Sequence, residues 1–86
     1  MNKKPLHFPC QFPIKIMGPA EEAFEKAVIV ILSKHVPDLS DQAIQRQYSK
    51  HQKYLSITAS FEATDQQQLD ALYQELTQHP LVVMVL

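Results

Sequence analysis

The spacing of apolar residues switches between two periods along this chain, and the order of the switches leaves few folds open. Every second residue is apolar in residues 54–62, which is typical of a strand with one buried face. Residues 20–35 instead carry apolar residues three and four positions apart, which predicts a helix with one buried stripe. The predicted order is strand, helix, strand, strand, helix and strand, over Phe12–Met17, Ala20–His35, Ala43–Ser49, Tyr54–Glu62, a segment between Thr64 and Pro80, and Leu81–Leu86.

Prolines and polar residues mark the ends of these elements. Pro13 cannot donate to a β-ladder, so regular pairing of the first strand is expected to start after it. Pro19 suits the first turn of the first helix, and Thr64 with Gln67 forms a capping box for the second. The run 28–32 is also compatible with a buried strand, but the length of the surrounding pattern and its end signals favour a helix.

Two right-handed βαβ-type crossovers predict a four-stranded antiparallel sheet of order 4-1-3-2, with both helices on one face. This is a ferredoxin-like βαββαβ sandwich of the α+β class. The 86 residues suit one domain, which we expect over residues 11–86. Residues 1–10 contain Pro5 and Pro9 without any periodicity, and they are predicted to form a flexible N-terminal arm.

Composition excludes several classes of function. The single glycine, Gly18, excludes Gly-rich phosphate loops, and the single cysteine, Cys10, excludes a disulfide framework or a zinc ribbon. The four histidines show no i, i+4 pairing, which argues against a metal site. A net charge of −1 predicts no general attraction to nucleic acid or anionic lipid. With one thiol and no apolar run long enough for a signal peptide or a membrane span, we expect a cytoplasmic protein.

The usual chemistries of this fold lack their residues here. An RNA-binding sheet needs stacking aromatics, and on the predicted open face only Tyr54 qualifies. A soft-metal carrier needs paired thiolates after the first strand, where the chain has residues 17–19 without a cysteine. An acyl-phosphate hydrolase needs an arginine beside a cradle of backbone amides, and the single arginine, Arg46, lies on a predicted edge strand. We therefore expect neither an enzyme nor a cofactor.

Three ordered motifs resemble a known family. Residues 8–18, FPCQFPIKIMG, look like the F-P-x-x-F-x-x-K-x-M-G opening of the YbeD-like family of small bacterial proteins of unknown function. Ser49-Lys50, then Tyr54, then residues 56–58 resemble its S-K…Y…S-[IV]-T hairpin, and residues 83–86 are similar to its V-x-M-V-L ending. The resemblance covers essentially residues 8–86.

The resemblance implies a ferredoxin-like fold similar to ACT regulatory domains, which pair into dimers and bind small effectors at their interfaces. It implies no known reaction. Gly18 and Met17 also have purely structural interpretations, as a turn residue and as core filler. The family positions that carry over to this chain are Lys15, Met17, Gly18, Lys50, Tyr54 and Ser56.

A candidate ligand site follows from the predicted topology. Strands one and three are neighbours, so Lys15, Ser56 and Thr58 are expected to share the open face of the sheet. A lysine among hydroxyls can hold a carboxylate or a phosphate by charge-assisted hydrogen bonds. Lys50 and Tyr54 join this site through the motif resemblance, and the alternative interpretation is a plain solvated sheet face.

An apolar surplus suggests a partner. The last segment is apolar at every position although the fold covers only one face, and Ile29 and Val30 lie outside the stripe of the first helix. We therefore predict an interface at Ile29, Val30, Val83 and Val85 and a possible homodimer. Two hypotheses result: a non-enzymatic regulatory module that binds a small anionic effector, or an adaptor that binds an unidentified protein through the last strand and the first helix.

Overall fold

A computed structural model describes residues 7–86 of the chain. The elements follow the predicted order, and the strands form one antiparallel sheet of order β2-β3-β1-β4, which confirms the predicted topology. A short 3-10 turn precedes the second strand. The bounds are β1 Cys10–Pro19, α1 Glu22–His35, the 3-10 turn Asp41–Ala43, β2 Ile44–Tyr48, β3 Tyr54–Ala63, α2 Gln66–Gln78 and β4 Met84–Val85.

The core lies between one face of the sheet and the two helices. Alternate residues of β1 and β3 point into it, including Ile16 and Ile57, which stand opposite each other and are fully buried. Phe24 of α1 and Leu72 of α2 close it from above and are also fully buried. Side chains of the other parity are left on the second face, which we call the open face of the sheet.

β1 starts earlier than predicted and pairs through Pro13, which stands opposite Ser60. The backbone groups of Lys15 and Met17 form hydrogen bonds on the β4 side of β1. Pro13 has the same parity in the strand, so its backbone nitrogen also points away from β3. β4 has ended at that level of the sheet. The missing N–H therefore interrupts no ladder, and this is why the expectation that pairing starts after Pro13 is wrong.

Two further boundaries differ from prediction. Pro19 is the last residue of β1 rather than the first turn of α1, because it stands opposite Tyr54 in the sheet. β1 begins at Cys10, one residue before the predicted domain boundary, and Cys10 packs partly buried against the core. Residues 1–6 of the predicted arm lie outside the described residues.

Gly18 is needed for close packing and not for a turn. It lies inside β1 opposite Leu55, with an ordinary strand conformation and no positive φ. A Cβ at this position would overlap the ring of Phe24 and approach the carbonyl oxygen of Leu81 to 2.6 Å. The absence of a side chain lets α1 and the segment before β4 pack closely against β1.

The cap of α2 and the length of β4 also differ from prediction. Asp65, not Thr64, accepts a hydrogen bond from the backbone N–H of Gln68 at 2.8 Å. The Gln68 side chain reaches back to the backbone N–H of Thr64 at 2.8 Å, so the predicted capping interaction exists one residue later than expected. β4 has two residues of the six predicted, Met84 and Val85, and the backbones of Val83 and Leu86 on either side also hydrogen-bond to β1.

Candidate functional site

The open face of the sheet brings together the polar residues predicted from the pattern of strands. Lys15 of β1 stands directly opposite Thr58 of β3, and Gln45 of β2 stands on the other side of Thr58. The next row places Met17 opposite Ser56, followed by Gln47. Neighbouring residues in such rows have Cβ atoms about 5 Å apart, so these side chains are in reach of one another.

Lys15 lies on the boundary between a polar and an apolar half of the open face. Its backbone exchanges two hydrogen bonds with Leu86, at 3.1 and 2.8 Å, so the two residues are also direct neighbours. In the adjacent row Met84 stands opposite Met17. Glutamine and hydroxyl side chains thus lie on the β3 side of Lys15, and Met84 and Leu86 lie on the β4 side.

A shallow depression of about 250 Å³ opens beside Lys15 at the hairpin end of the sheet. Three predicted site residues line it, namely Lys15, Tyr54 and Ser56. Thr58 is not in its wall, although it is the direct neighbour of Lys15 in the sheet. The contribution of β2 was not predicted; the alternation of Gln45 and Gln47 along the strand is the sequence signal that these residues share this face. The full lining is Lys15, Met17, Gln47, Tyr48, Ser49, Tyr54 and Ser56.

Lys50 lies apart from this depression, in the turn between β2 and β3. The serine before it has a structural role, because Ser49 Oγ accepts hydrogen bonds from the backbone N–H groups of Lys53 and Tyr54 at 3.1 and 3.0 Å. The Lys53 ammonium lies 5.9 Å from the centroid of the Tyr54 ring. The S-K…Y part of the hairpin motif therefore orders a turn and fixes Tyr54 at the rim of the depression.

Ion pairs of the described residues lie on the helix side of the sheet. Lys26 pairs with Glu22, Lys34 and His35 pair with Glu75, and Arg46 pairs with Glu25. Within residues 7–86, Lys15 takes part in none of these pairs.

The acidic side chain that the described residues place on the open face is remote from Lys15. Glu62 stands opposite Gln11, four pairs along the β1–β3 ladder from the Lys15–Thr58 pair. At the rise of a strand this separation is about 13 Å, which is beyond direct contact. Among residues 7–86, the half-buried Lys15 therefore has no acidic side chain beside it on this face.

Two groups with shifted pKa values lie on α2. Hydrogen bonds from Lys34 and His35 lower the pKa of the Glu75 carboxyl below its ordinary value. Partial burial raises the pKa of Tyr73, whose hydroxyl donates to the carbonyl oxygen of Leu86 at 3.4 Å. Both perturbed groups therefore belong to the helix layer and not to the depression beside Lys15.

Metal-binding clusters and membrane-spanning helices are absent from the part of the chain that the structure describes. Among residues 7–86, no three histidine, cysteine or acidic side chains come together in a way that suits a metal ion. Neither helix of this part combines the length and the apolar character that crossing a membrane requires.

The predicted interface residues divide into two groups. Val30 and Val83 are exposed, with 65% and 64% of their surface accessible, whereas Ile29 and Val85 are half-buried against the core. Ile29 lies outside the helical stripe but is not fully exposed, because part of its side chain packs against the core. The exposed members of this predicted set therefore lie at two separate places, on the outside of α1 and along the segment that contains β4.

The chain is similar to proteins that have no assigned function. Residues 3–86 match the family described as "Protein of unknown function (DUF493)". A UPF0250 protein of Nitrosomonas europaea is 42% identical over 81 residues, which cover 94% of this chain and 93% of that protein. A UPF0250 protein of Chromobacterium violaceum is 39% identical over 79 residues, covering 92% and 89% of the two chains.

Two solved structures share the fold. The solution structure of protein HP0495 from H. pylori superimposes with a TM-score of 0.77 at 18% identity, covering 98% of this chain and 88% of that one. The ACT domain from the GTP pyrophosphokinase of Chlorobium tepidum gives a TM-score of 0.70 at 16% identity, covering 88% and 94%. At these identities the likeness concerns the architecture of the sheet and its helices.

Proposed function

The chain belongs to the DUF493 family of proteins of unknown function, as its YbeD-like motifs predicted, and from that premise we propose that it is a regulatory module without catalytic activity that binds a small anionic effector. The effector site is the depression on the open face beside Lys15. We place this activity in the cytoplasm, in keeping with the lone thiol of Cys10. The ACT domain of a pyrophosphokinase among the structural neighbours supports a regulatory role by analogy of fold.

One observation carries the proposal: among the described residues the half-buried Lys15 pairs with no acidic side chain, and it lies on a face that offers hydroxyl groups beside it. Thr58 stands directly opposite, and Ser56 lies in the next row. An ammonium with partners of this kind binds a carboxylate or a phosphate by charge-assisted hydrogen bonds, which are about twice as strong as neutral ones.

The apolar half of the open face favours an effector that also has an apolar part. Met84 and Leu86 are 47% and 60% exposed beside Lys15. An anion whose carboxylate reaches Lys15 would cover part of this surface, and each buried CH₂ group contributes about 0.8 kcal/mol. A carboxylate with a short alkyl chain should therefore bind more tightly than acetate.

Titration of the ¹⁵N-labelled protein with acetate, hexanoate and inorganic phosphate tests the site. We expect amide shift changes at Lys15, Ser56 and Thr58, with hexanoate saturating at a lower concentration than acetate. Lys15→Met keeps the length of the side chain and removes its charge, so it should weaken binding at least about tenfold.

The matched control is Lys50→Met, which removes one positive charge from the exposed turn outside the depression. It should leave the affinity within about twofold, because exposed charges act weakly at this distance. Equal losses in the two variants would show a non-specific charge effect. The proposal would be rejected if no probe shifted the open-face amides.

A second candidate function is an adaptor that binds another protein along the segment containing β4. The exposure of Val83, Met84 and Leu86 favours it. A protein docked there would cover the same side of Lys15 as the apolar part of the effector. The two functions differ in their dependence on Met84, because a small anion needs no contact with this side chain. Met84→Glu should abolish protein binding, whereas binding of acetate, which needs no apolar contact, should weaken only through added negative charge.

A further inference from the structure

The outer side of α1 carries a projecting apolar side chain between two concavities. Val30 projects into solvent, and a groove of about 590 Å³ runs beside it, between α1 and the end of α2. A second groove of about 450 Å³ lies on its other side, bounded by Glu22, Glu25 and Ile29. We propose that this surface, the α1 face, pairs with the α1 face of a second copy of this chain, with the two helices antiparallel.

The shape of the α1 face suits a copy of itself. In a two-fold symmetric contact both copies use the same surface. This surface must therefore contain both a projecting side chain and a cavity that receives the partner's projecting side chain. Val30 supplies the projecting side chain. The larger groove lies directly beside Val30, where it is lined by Ala27, Ile31 and Pro80. The Val30 of each copy can therefore enter the groove of the other.

The charges along α1 select the antiparallel orientation. Its first turn carries Glu22 and Glu25, and its last turn carries Lys34 and His35. Antiparallel pairing places the acidic end of each helix on the basic end of its partner, and it also opposes the two helix dipoles favourably. Parallel pairing would place Glu22 on the partner's Glu22, which is repulsive.

The spacing of these residues fixes the position of the crossing. Glu22 and Lys34 are both six residues from Val28, which is about 9 Å along the helix. A two-fold axis level with Val28 therefore brings the Glu22 carboxylate to the partner's Lys34. Lys34 uses one of its three N–H donors on Glu75, at 2.8 Å, and keeps donors for this contact.

The same axis brings Lys26 opposite the partner's Val30. Lys26 lines the larger groove together with Val30, and its ammonium pairs loosely with Glu22 of its own helix at 3.6 Å. Its methylene stem can cover the partner's valine while the ammonium stays in water. The contact is therefore apolar at its centre and charged at both ends, which is the usual arrangement of an interface.

This pairing is independent of the effector site, because the α1 face lies in the helix layer and Lys15 lies on the open face of the sheet. Both sites can be occupied at once. Failure of one proposal therefore leaves the other intact.

Sedimentation equilibrium of the full chain at concentrations up to about 1 mM tests the pairing. We expect a concentration-dependent species with twice the mass of one chain. Val30→Lys should raise the dissociation constant at least about tenfold, because it places a second ammonium opposite the partner's Lys26 in the apolar centre. Val83→Lys is the matched control, since Val83 is the same residue type at 64% exposure and lies on the other apolar surface.

A dimer that Val83→Lys disrupts and Val30→Lys does not would overturn the proposal in favour of the β4 surface. A chain that remains monomeric throughout the concentration range would also overturn it. Circular dichroism of each variant verifies that the fold is retained, which is expected because both valines are exposed.

Charge exchange tests the orientation. Glu22→Lys alone and Lys34→Glu alone should each weaken self-association, since each places like charges together at both ends of the pair. A mixture of the two variants should recover a dimer, because each lysine then meets a glutamate of the other chain. Unchanged self-association of Glu22→Lys would rule out the antiparallel contact.

Discussion

The ammonium of Lys34 donates to Glu75 Oε2 at 2.8 Å and so joins the end of α1 to the last turn of α2. The other carboxylate oxygen of Glu75 lies 2.8 Å from Nε2 of His35. These hydrogen bonds lower the pKa of Glu75, since they favour its charged form. One carboxylate thus holds two consecutive residues at the point where α1 ends.

The stability contributed by Glu75 should depend on pH. Its folded-state pKa is depressed, so the contribution is fully present above the unfolded pKa, close to 4.5, and is lost as the pH falls through the folded value. Urea denaturation should therefore show Glu75→Gln to be less stable than wild type at pH 7, and the difference should shrink on acidification below about pH 4.5. A constant difference down to pH 2 would contradict this account.

Glu62→Gln serves as the control for this series. Glu62 is exposed on the open face, and it takes part in none of the ion pairs among residues 7–86. Its replacement should leave the free energy of unfolding within about 0.5 kcal/mol of wild type at neutral pH.

A methyl group at position 18 should destabilise the fold. Gly18→Ala places a Cβ against the ring of Phe24 and the carbonyl oxygen of Leu81, and relieving such overlap in a packed core costs about 1–3 kcal/mol. Chemical denaturation measures the loss. Combining it with Phe24→Leu should give less than the sum of the single effects, because the smaller side chain removes one of the two overlaps. Strict additivity would show that the ring is not the obstacle.

Periodicity predicted the order of the elements because it is a local signal with a direct structural cause. The strict alternation of Tyr54–Glu62 and the helical spacing of Ala20–His35 each report one buried face. Element ends were less predictable, since they depend on neighbours distant in sequence. Pro13 is accommodated only because β4 stops short of it, and Pro19 extends β1 only because Tyr54 lies opposite.

The candidate site was predicted in part for the same reason. Lys15 and Thr58 follow from strand parity once β1 and β3 are neighbours. The position of Lys50 does not follow from strand parity, because Lys50 lies in the turn that Ser49 organises, outside the depression. The family motif contains both residues that shape the turn and residues that line the depression, and the sequence does not distinguish the two roles.

The structure places the N-cap of α2 at Asp65, one residue after the predicted Thr64, and this difference can be tested. Asp65→Ala removes the acceptor for the N–H of Gln68 and should cost about 1 kcal/mol in the free energy of unfolding. Asp70→Ala, an exposed change inside the same helix, loses only the side-chain hydrogen bond from Gln66 and should cost less, because alanine has the higher helix propensity. Equal losses would show that Asp65 does not cap the helix.

Pro13 is expected to protect an open sheet edge. Among the described residues, the outward-facing backbone of Gln11 and Pro13 forms no hydrogen bond with another strand. Proline blocks this edge because it offers no N–H. Pro13→Val restores a donor and a strand-forming side chain, and it should raise the rate of aggregation measured by light scattering. Pro37→Val, which lies outside the sheet, provides the comparison: equal rates for the two variants would mean that exposed apolar surface, and not the open edge, drives association.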